Sequence, residues 1–420
     1  MLNLEEINEN NIISPFSWKP KDFNLNCNEI MKGNSNIIEN AIKQRYIMKN
    51  LPYYYNLSCE GIKSRGYYPK DSQSFIEKNY PIAYARNVFS DYHLLELQFL
   101  LTYAPQNHYC FAVDKKALSI RKKLESLTKC FDNVYITSKS LDMTSGGKNQ
   151  ALSSYECMKI LSNKKWEYLF ILQNYDFPLK TNLEMVKILI ARNGSMDIGF
   201  TNPGSLINSR IDKSKSWDHI SLNFMKDNDL KKFDIKMLKK SMTFQKGYYP
   251  NGLPRISVDY LLNKINITSY LNQINTGRYG EDEMVWQTLF NDAILQIPQW
   301  VHENCVSKYY SEDTYMVRFA IWTANNCKSK LFSHSLCVIG IEMLNDLKNN
   351  PKMFAYKFKG DQDMGAALCY AEYLYNKTYI EKLSDIDIEY YKTLPQTQYQ
   401  NTYGRNKKIL LDECIKTKIW

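Results

Sequence analysis

The chain has 420 residues, 44% hydrophobic and 14% aromatic, with 32 tyrosines. That is the composition of an ordered globular protein with a sizeable core, and it excludes a disordered chain. The formal charge of +10 comes from bases scattered in short clusters such as Arg121-Lys122-Lys123, which argues against a nucleic-acid groove and suits small anionic ligands.

Residues 1–78 are polar and Asn-rich, and Pro15, Pro20, Pro52 and Pro69 interrupt any long element, so an irregular segment is expected. From residue 79 strand and helix patterns alternate. Ile82–Val88 reads as a strand and Leu94–Tyr103 as a helix; Tyr109–Val113 is a strand ending at Asp114, followed by a helix over Lys116–Leu127. Asn133–Thr137 is a strand, Gln150–Leu161 a helix, Tyr168–Leu172 a buried strand and Leu183–Ala191 a helix. This rhythm implies a largely parallel sheet covered on both faces. Ligands of such sheets bind at the carboxyl ends of the strands. Asp114 and the segment Gln173-Asn174-Tyr175-Asp176 fall at two such ends. No Gly-x-Gly-x-x-Gly and no P-loop is present, so neither a dinucleotide enzyme nor a P-loop NTPase is supported. Further on, Glu281-Asp282-Glu283 follows the turn Tyr279-Gly280 and leads into Met284-Val285-Trp286. The order reads as a helix start, where the macrodipole favours acids; it also suits a general base held in a rigid geometry. A polar C-terminal extension begins near residue 381, and no stretch approaches the ~20 apolar residues of a membrane span.

Ten cysteines are spread widely without the paired spacing of a zinc site, so they read as buried thiols or as disulfides. Sequons at Asn56, Asn193, Asn266 and Asn376 tilt towards a secretory route, although the start Met1-Leu2-Asn3-Leu4 carries neither signal peptide nor anchor. The triplets Asp227-Asn228-Asp229, Asp361-Gln362-Asp363 and Asp385-Ile386-Asp387 do not follow an apolar strand, read as solvated loop carboxylates, and no metal is assigned. His93, His108, His219 and His302 show no ligand spacing.

Several blocks together carry a family resemblance. Pro81-Ile82-Ala83-Tyr84, the run Tyr103 to Ala117, Cys130-Phe131-Asp132-Asn133-Val134 and Glu156-Cys157-Met158-Lys159 are followed by Gln173 through Asn182. The match resumes at Gly280-Glu281-Asp282-Glu283-Met284-Val285-Trp286, at Leu336-Cys337-Val338-Ile339-Gly340 and at Phe354-Ala355-Tyr356-Lys357-Phe358. Over about residues 80–372 this order resembles the core-2/I-branching β-1,6-N-acetylglucosaminyltransferases, with short loops like those of nematode-type members. The resemblance implies an α/β fold of GT-A type: a Rossmann-like, mostly parallel sheet with helices on both faces and a disulfide-stapled N-terminal stem. Residues 1–78 would be that stem, 79–380 the catalytic domain and 381–420 an extension.

An inverting, metal-independent transfer of N-acetylglucosamine from UDP-N-acetylglucosamine to an O-glycan-type acceptor is also implied, with no cofactor. Glu283 falls on the family's base, and Lys357 on a basic residue that steadies the leaving diphosphate in place of a metal. Where many members have an arginine, this chain has His334, which donates one hydrogen bond rather than a cationic fork; Lys328 or Lys330 could reach in instead. Asp114 would contact uridine or ribose and Asp176 the donor; as plain residues both would fix turns. Trp322, Tyr315 and, more weakly, Arg255 would touch the acceptor, with core or surface packing as the alternative. Disulfides Cys110–Cys157 and Cys327–Cys337 are implied, with Cys27 and Cys59 tied to Cys369 and Cys130; Cys305 and Cys414 lie outside the family pattern and could form an extra bridge. Partners would be a UDP-sugar and a glycoprotein glycan, and the location the Golgi lumen, where the family has a type II membrane anchor that this sequence lacks. Two rival readings are a xylosyltransferase-like member and a sugar-binding protein silenced by the change at His334.

Overall fold

Four apolar runs form the spine of the molecule. In the computed structural model, which describes residues 16–51, 55–202, 204, 206–225, 234–322, 324–402, 412 and 414, they are β1 (Ile82–Val88), β2 (His108–Val113), β3 (Val134–Ile136) and β4 (Tyr168–Gln173). They lie parallel in the order β3-β2-β1-β4, and the strand Asn251–Pro254 closes the β4 edge antiparallel. Every residue of β1 is buried, as a strand covered on both faces requires. Alternate residues feed two cores. Ala83, Ala85, Cys110, Leu169 and Ile171 face the helices Gln150–Leu161 and Asp282–Asn291. Tyr84, Phe111, Phe170 and Leu172 face the helices Tyr92–Thr102, Leu118–Cys130 and Asn182–Ala191. Thr181 and Glu184 form a capping box at the start of the last of these, which satisfies two otherwise open amides.

The mixed, mostly parallel sheet with flanking helices agrees with the expected fold class. The N-terminal segment is irregular between short helices. Short helices occupy Cys27–Lys32, Ser35–Lys43, Cys59–Ser64 and Phe75–Asn79, and the side chains of Asn26, Asn34, Ser58 and Ser74 accept amide hydrogen bonds at their starts. The Asn- and Ser-rich composition that reads as loop is also the composition of good N-caps. This segment is built into the body: Trp18 is buried and donates to Glu96 at 3.1 Å, and Cys27 is bonded to Cys369 in the helix Gly360–Tyr375. The C-terminal part is packed too, since the helix Ile388–Thr393 buries Tyr391, whose hydroxyl donates to the Pro351 carbonyl at 2.6 Å.

A second small sheet positions the chemistry. Phe354–Tyr356 runs antiparallel to Phe177–Pro178 and parallel to Arg318–Ala320. It sets Arg318 and the residue after Tyr356 against the turn that leaves β4.

Candidate active site

Two glycines shape the acidic turn. Gly280 has a left-handed φ of +76°, and a Cβ there would stand 2.4 Å from the Arg210 guanidinium carbon. Gly147 has φ +108°, and its Cβ would meet Asp282 Oδ1 at 2.4 Å. Only glycine fits either place. The Gly280 amide donates to the Gly146 carbonyl at 2.6 Å, which draws the loop around 144–149 against the turn.

The three acids then take different tasks. Glu281 Oε2 accepts from the amides of Thr276, Gly277 and Arg278, so it pins the chain entering the turn instead of capping the helix Asp282–Asn291. Asp282 is buried beside Gly147; burial, followed by repulsion from Glu283 and Glu281, pushes its carboxyl up to about 7. Of the three, Glu283 alone reaches the cleft, a cavity of about 840 Å³. Arg210 Nη1 donates to its Oε2 at 2.6 Å, and Lys246 Nζ stands 3.4 Å from the same oxygen. Oε1 has no partner among the described residues. The carboxylate is thus held by one oxygen and open to the cleft by the other.

A cluster of positive charge lies outside the lining of that cavity, behind the second small sheet. Lys357 is buried, donates to the Ser333 carbonyl at 3.2 Å, and packs over the rings of Tyr356 and Tyr175. Among the described residues no carboxylate lies within ion-pair distance of it. Burial first, and then the neighbouring Lys359 and Arg318, push its ammonium down to about 8. Arg318 donates to Gln173 Oε1 at 2.9 Å and lies over the Tyr356 ring. His334 is exposed at the tip of the hairpin joining Phe332–Ser333 to Leu336–Cys337, where it and Ser335 have positive φ, as a two-residue hairpin turn demands. It adjoins Ser333, the anchor of Lys357.

The structure separates the remaining candidates. Trp322 lines the cleft and is 45% exposed. Asp114 follows β2 at the carboxyl edge of the sheet, accepting from the Lys116 amide at 2.7 Å. Three expectations are corrected. Asp176 offers no surface to a donor: it is fully buried, Oδ2 accepts from the Gln173 amide at 2.7 Å, and Oδ1 lies 3.7 Å from Arg318. Tyr315 is buried and donates to the Pro250 carbonyl at 2.7 Å. Arg255 is committed to Asp259 and to the carbonyls of Ser162 and Lys164, over the Trp166 ring. Burial and packing decide against the last two.

Disulfides join Cys27–Cys369, Cys59–Cys130, Cys110–Cys157, Cys305–Cys414 and Cys327–Cys337. Asn56 and Asn193 are exposed, whereas Asn266 and Asn376 are half-buried. Of the Asp triplets, Asp227-Asn228-Asp229 lies outside the described residues. Asp363 is not a solvated loop residue: it is buried, paired with Arg45, and accepts from the Ile341 amide at 3.0 Å. Asp387 caps the helix Ile388–Thr393. Among the described residues no three His, Cys, Asp or Glu side chains converge as metal ligands. Sequence reasoning missed Arg210, Lys246 and Arg318. Each is a lone base without a pattern, and only the fold brings them to the site.

A mostly parallel sheet covered by helices, with a cation-held carboxylate opening into a cleft, is consistent with a GT-A-like fold. The profile of the family described as Core-2/I-Branching enzyme matches residues 82–348, well over half of the chain, which therefore belongs to this family of glycosyltransferases. Among its relatives, a protein of Bos taurus named beta-1,3-galactosyl-O-glycosyl-glycoprotein beta-1,6-N-acetylglucosaminyltransferase is 27% identical, covering 84% of this chain and 86% of its own. A Homo sapiens protein of the same name is 26% identical over 84% and 85%. One from Bovine herpesvirus 4 (strain DN-599), again of that name, is 24% identical over 85% and 84%.

Proposed function

We propose that this protein transfers N-acetylglucosamine from UDP-N-acetylglucosamine to a hydroxyl of an O-glycan-type acceptor, with inversion at the anomeric carbon and without a metal ion. The observation that carries the reading is a carboxylate fixed by two cations and open to the cleft, together with a buried lysine that follows Tyr356, the strand partner of the cleft residue Ala320, and pairs with no carboxylate among the described residues. The names of the relatives support the sugar and the acceptor class.

Glu283 Oε1 takes the proton from the acceptor hydroxyl as that oxygen bonds to the anomeric carbon. The bond from that carbon to the β-phosphate oxygen breaks, and its electron pair leaves with UDP. Arg210 and Lys246 hold the base in register, which matters more to a proton transfer than added basicity. The Lys357 ammonium receives the charge on the diphosphate, with His334 beside it at the hairpin tip. Asp114 meets the ribose at the edge of the sheet, and Trp322 offers a ring face to the acceptor sugar. The cations take the place that a divalent ion holds in other nucleotide-sugar enzymes. The Golgi lumen is the proposed setting, supported by five disulfides, which persist in oxidising compartments. Among the described residues no helix is long and apolar enough to cross a membrane.

The test is transfer by the purified chain from UDP-N-acetylglucosamine and, separately, UDP-xylose to a panel of O-glycan acceptors, with and without EDTA. Transfer of N-acetylglucosamine that survives EDTA is expected. Preference for UDP-xylose would favour the xylosyltransferase reading, donor binding without transfer the silent one, and loss in EDTA would overturn the metal-free mechanism.

A further inference from the structure

Around Asp176 the fold buries more positive charge than one carboxylate matches. Arg86, Arg318 and Lys357 are all less than a tenth exposed, and Asp176 is the fully buried carboxylate among them. Lys359 adds nothing to the balance, because it pairs with Asp361 at 3.1 Å. Three cations against one carboxylate leave a surplus of two, held out of water, where unmatched charge is costly. An anion of charge about −2, such as a diphosphate, would match it.

Within this set both guanidiniums spend only Nη1, and Arg318 is the one whose chain neighbours line the cleft. Arg86 spends Nη1 on Gln98 Oε1 and on the carbonyls of Gln173 and Asp176 at 2.8–3.0 Å. Arg318 spends only Nη1, on Gln173, and Asp176 at 3.7 Å is beyond hydrogen-bond reach. Its Nε and Nη2 have no partner among the described residues, yet they are not sealed in, unlike Nε and Nη2 of Arg192. Phe319 and Ala320, the next two residues, line the cleft with Glu283. The Arg318 guanidinium lies over the ring of Tyr356, the residue before Lys357.

We propose that Arg318 is a further catalytic residue, donating from Nε and Nη2 to the departing diphosphate and supplying the permanent second cation that His334 does not. This rests on the UDP-sugar reading of the cleft. As the bond from the anomeric carbon to the β-phosphate oxygen breaks, the electron pair goes to that oxygen; Arg318 and Lys357 share the charge and neither gives up a proton. A planar guanidinium suits phosphate oxygens, and an imidazole is not a permanent cation.

The experiment is a calorimetric titration of UDP, UMP and uridine into the full chain as wild type, Arg318→Gln, Arg318→Lys and the double variant Arg318→Gln/His334→Arg. Arg318→Gln should cut the preference for UDP over uridine by about 10–100-fold, the loss of one charge-assisted contact, with uridine affinity unchanged. Arg318→Lys should restore part of that preference, and His334→Arg in the Gln background most of it. Because Arg318→Gln leaves Asp176 buried opposite one cation fewer, the variant Asp176→Asn/Arg318→Gln provides the same comparison if the single variant does not fold. An unchanged ratio of UDP to uridine affinity, or a parallel loss of both, overturns the role of Arg318. A wild type that does not distinguish UDP from uridine overturns the UDP-sugar reading itself, and the inference falls with it.

Discussion

Replacing Asp282 by asparagine removes a carboxyl that the fold pushes from 3.8 to about 7. The unfolded chain ionises this group near its ordinary value, while the folded protein keeps the proton up to about pH 7. Between those limits the folded state holds a proton that the unfolded state has released, so stability falls as pH rises through the window and stays low above it. About three units at 1.36 kcal/mol each put the whole effect near 4 kcal/mol, of which about 2–3 kcal/mol is lost between pH 5 and pH 8. Asparagine has nearly the same shape and no charge, so it fits beside Gly147 without the penalty. Urea denaturation of the disulfide-intact protein at the two pH values should show the wild type weakening and Asp282→Asn holding level, with the variant more stable at pH 8. Parallel pH profiles for the two proteins would refute the reasoning, because the buried charge would then not be the source of the loss.

Gly280→Ala forces a Cβ into the Arg210 guanidinium at a left-handed position; a stability loss of about 1–3 kcal/mol is expected, with a larger fall in kcat than in donor affinity as Glu283 loses its register. Lys357, held down to about 8, must carry its proton to receive a diphosphate. UDP affinity should therefore fall by up to about 10-fold per pH unit above that value, and calorimetry on Lys357→Arg, a permanent cation, should show a flatter profile. Removing Cys27–Cys369 with paired serine substitutions should cost about 2–5 kcal/mol, read as a lowered melting temperature, because it frees the helices Cys27–Lys32 and Ser35–Lys43 from the helix Gly360–Tyr375.

Much of the sheet was legible because its strands are continuous apolar runs and its helices strongly periodic. Gln150–Leu161 matches at both ends, and the strands from Ile82 to Leu172 are placed within a residue or so. The four short helices before residue 80 are not visible in the sequence because caps and loops draw on the same residue types. The short strands Phe177–Pro178, Lys246–Gly247 and Arg318–Ala320 were invisible, since two or three residues carry no period. The acidic turn shows the same limit. Spacing marked Glu281 to Glu283 as a helix start, and resemblance pointed to Glu283. The division of labour among the three acids depends on Gly147, Gly280 and Arg210, which converge only in the folded chain. The pairing of the cysteines likewise came from resemblance, because spacing leaves connectivity open.

In the proposed reaction Glu283 is the base. Glu283→Gln preserves shape and the contact with Arg210 but cannot accept a proton. Single-turnover transfer from UDP-N-acetylglucosamine should fall by about 10²–10⁴-fold while donor affinity stays within about 3-fold, a difference below 1 kcal/mol. Transfer at close to the wild-type rate would contradict it.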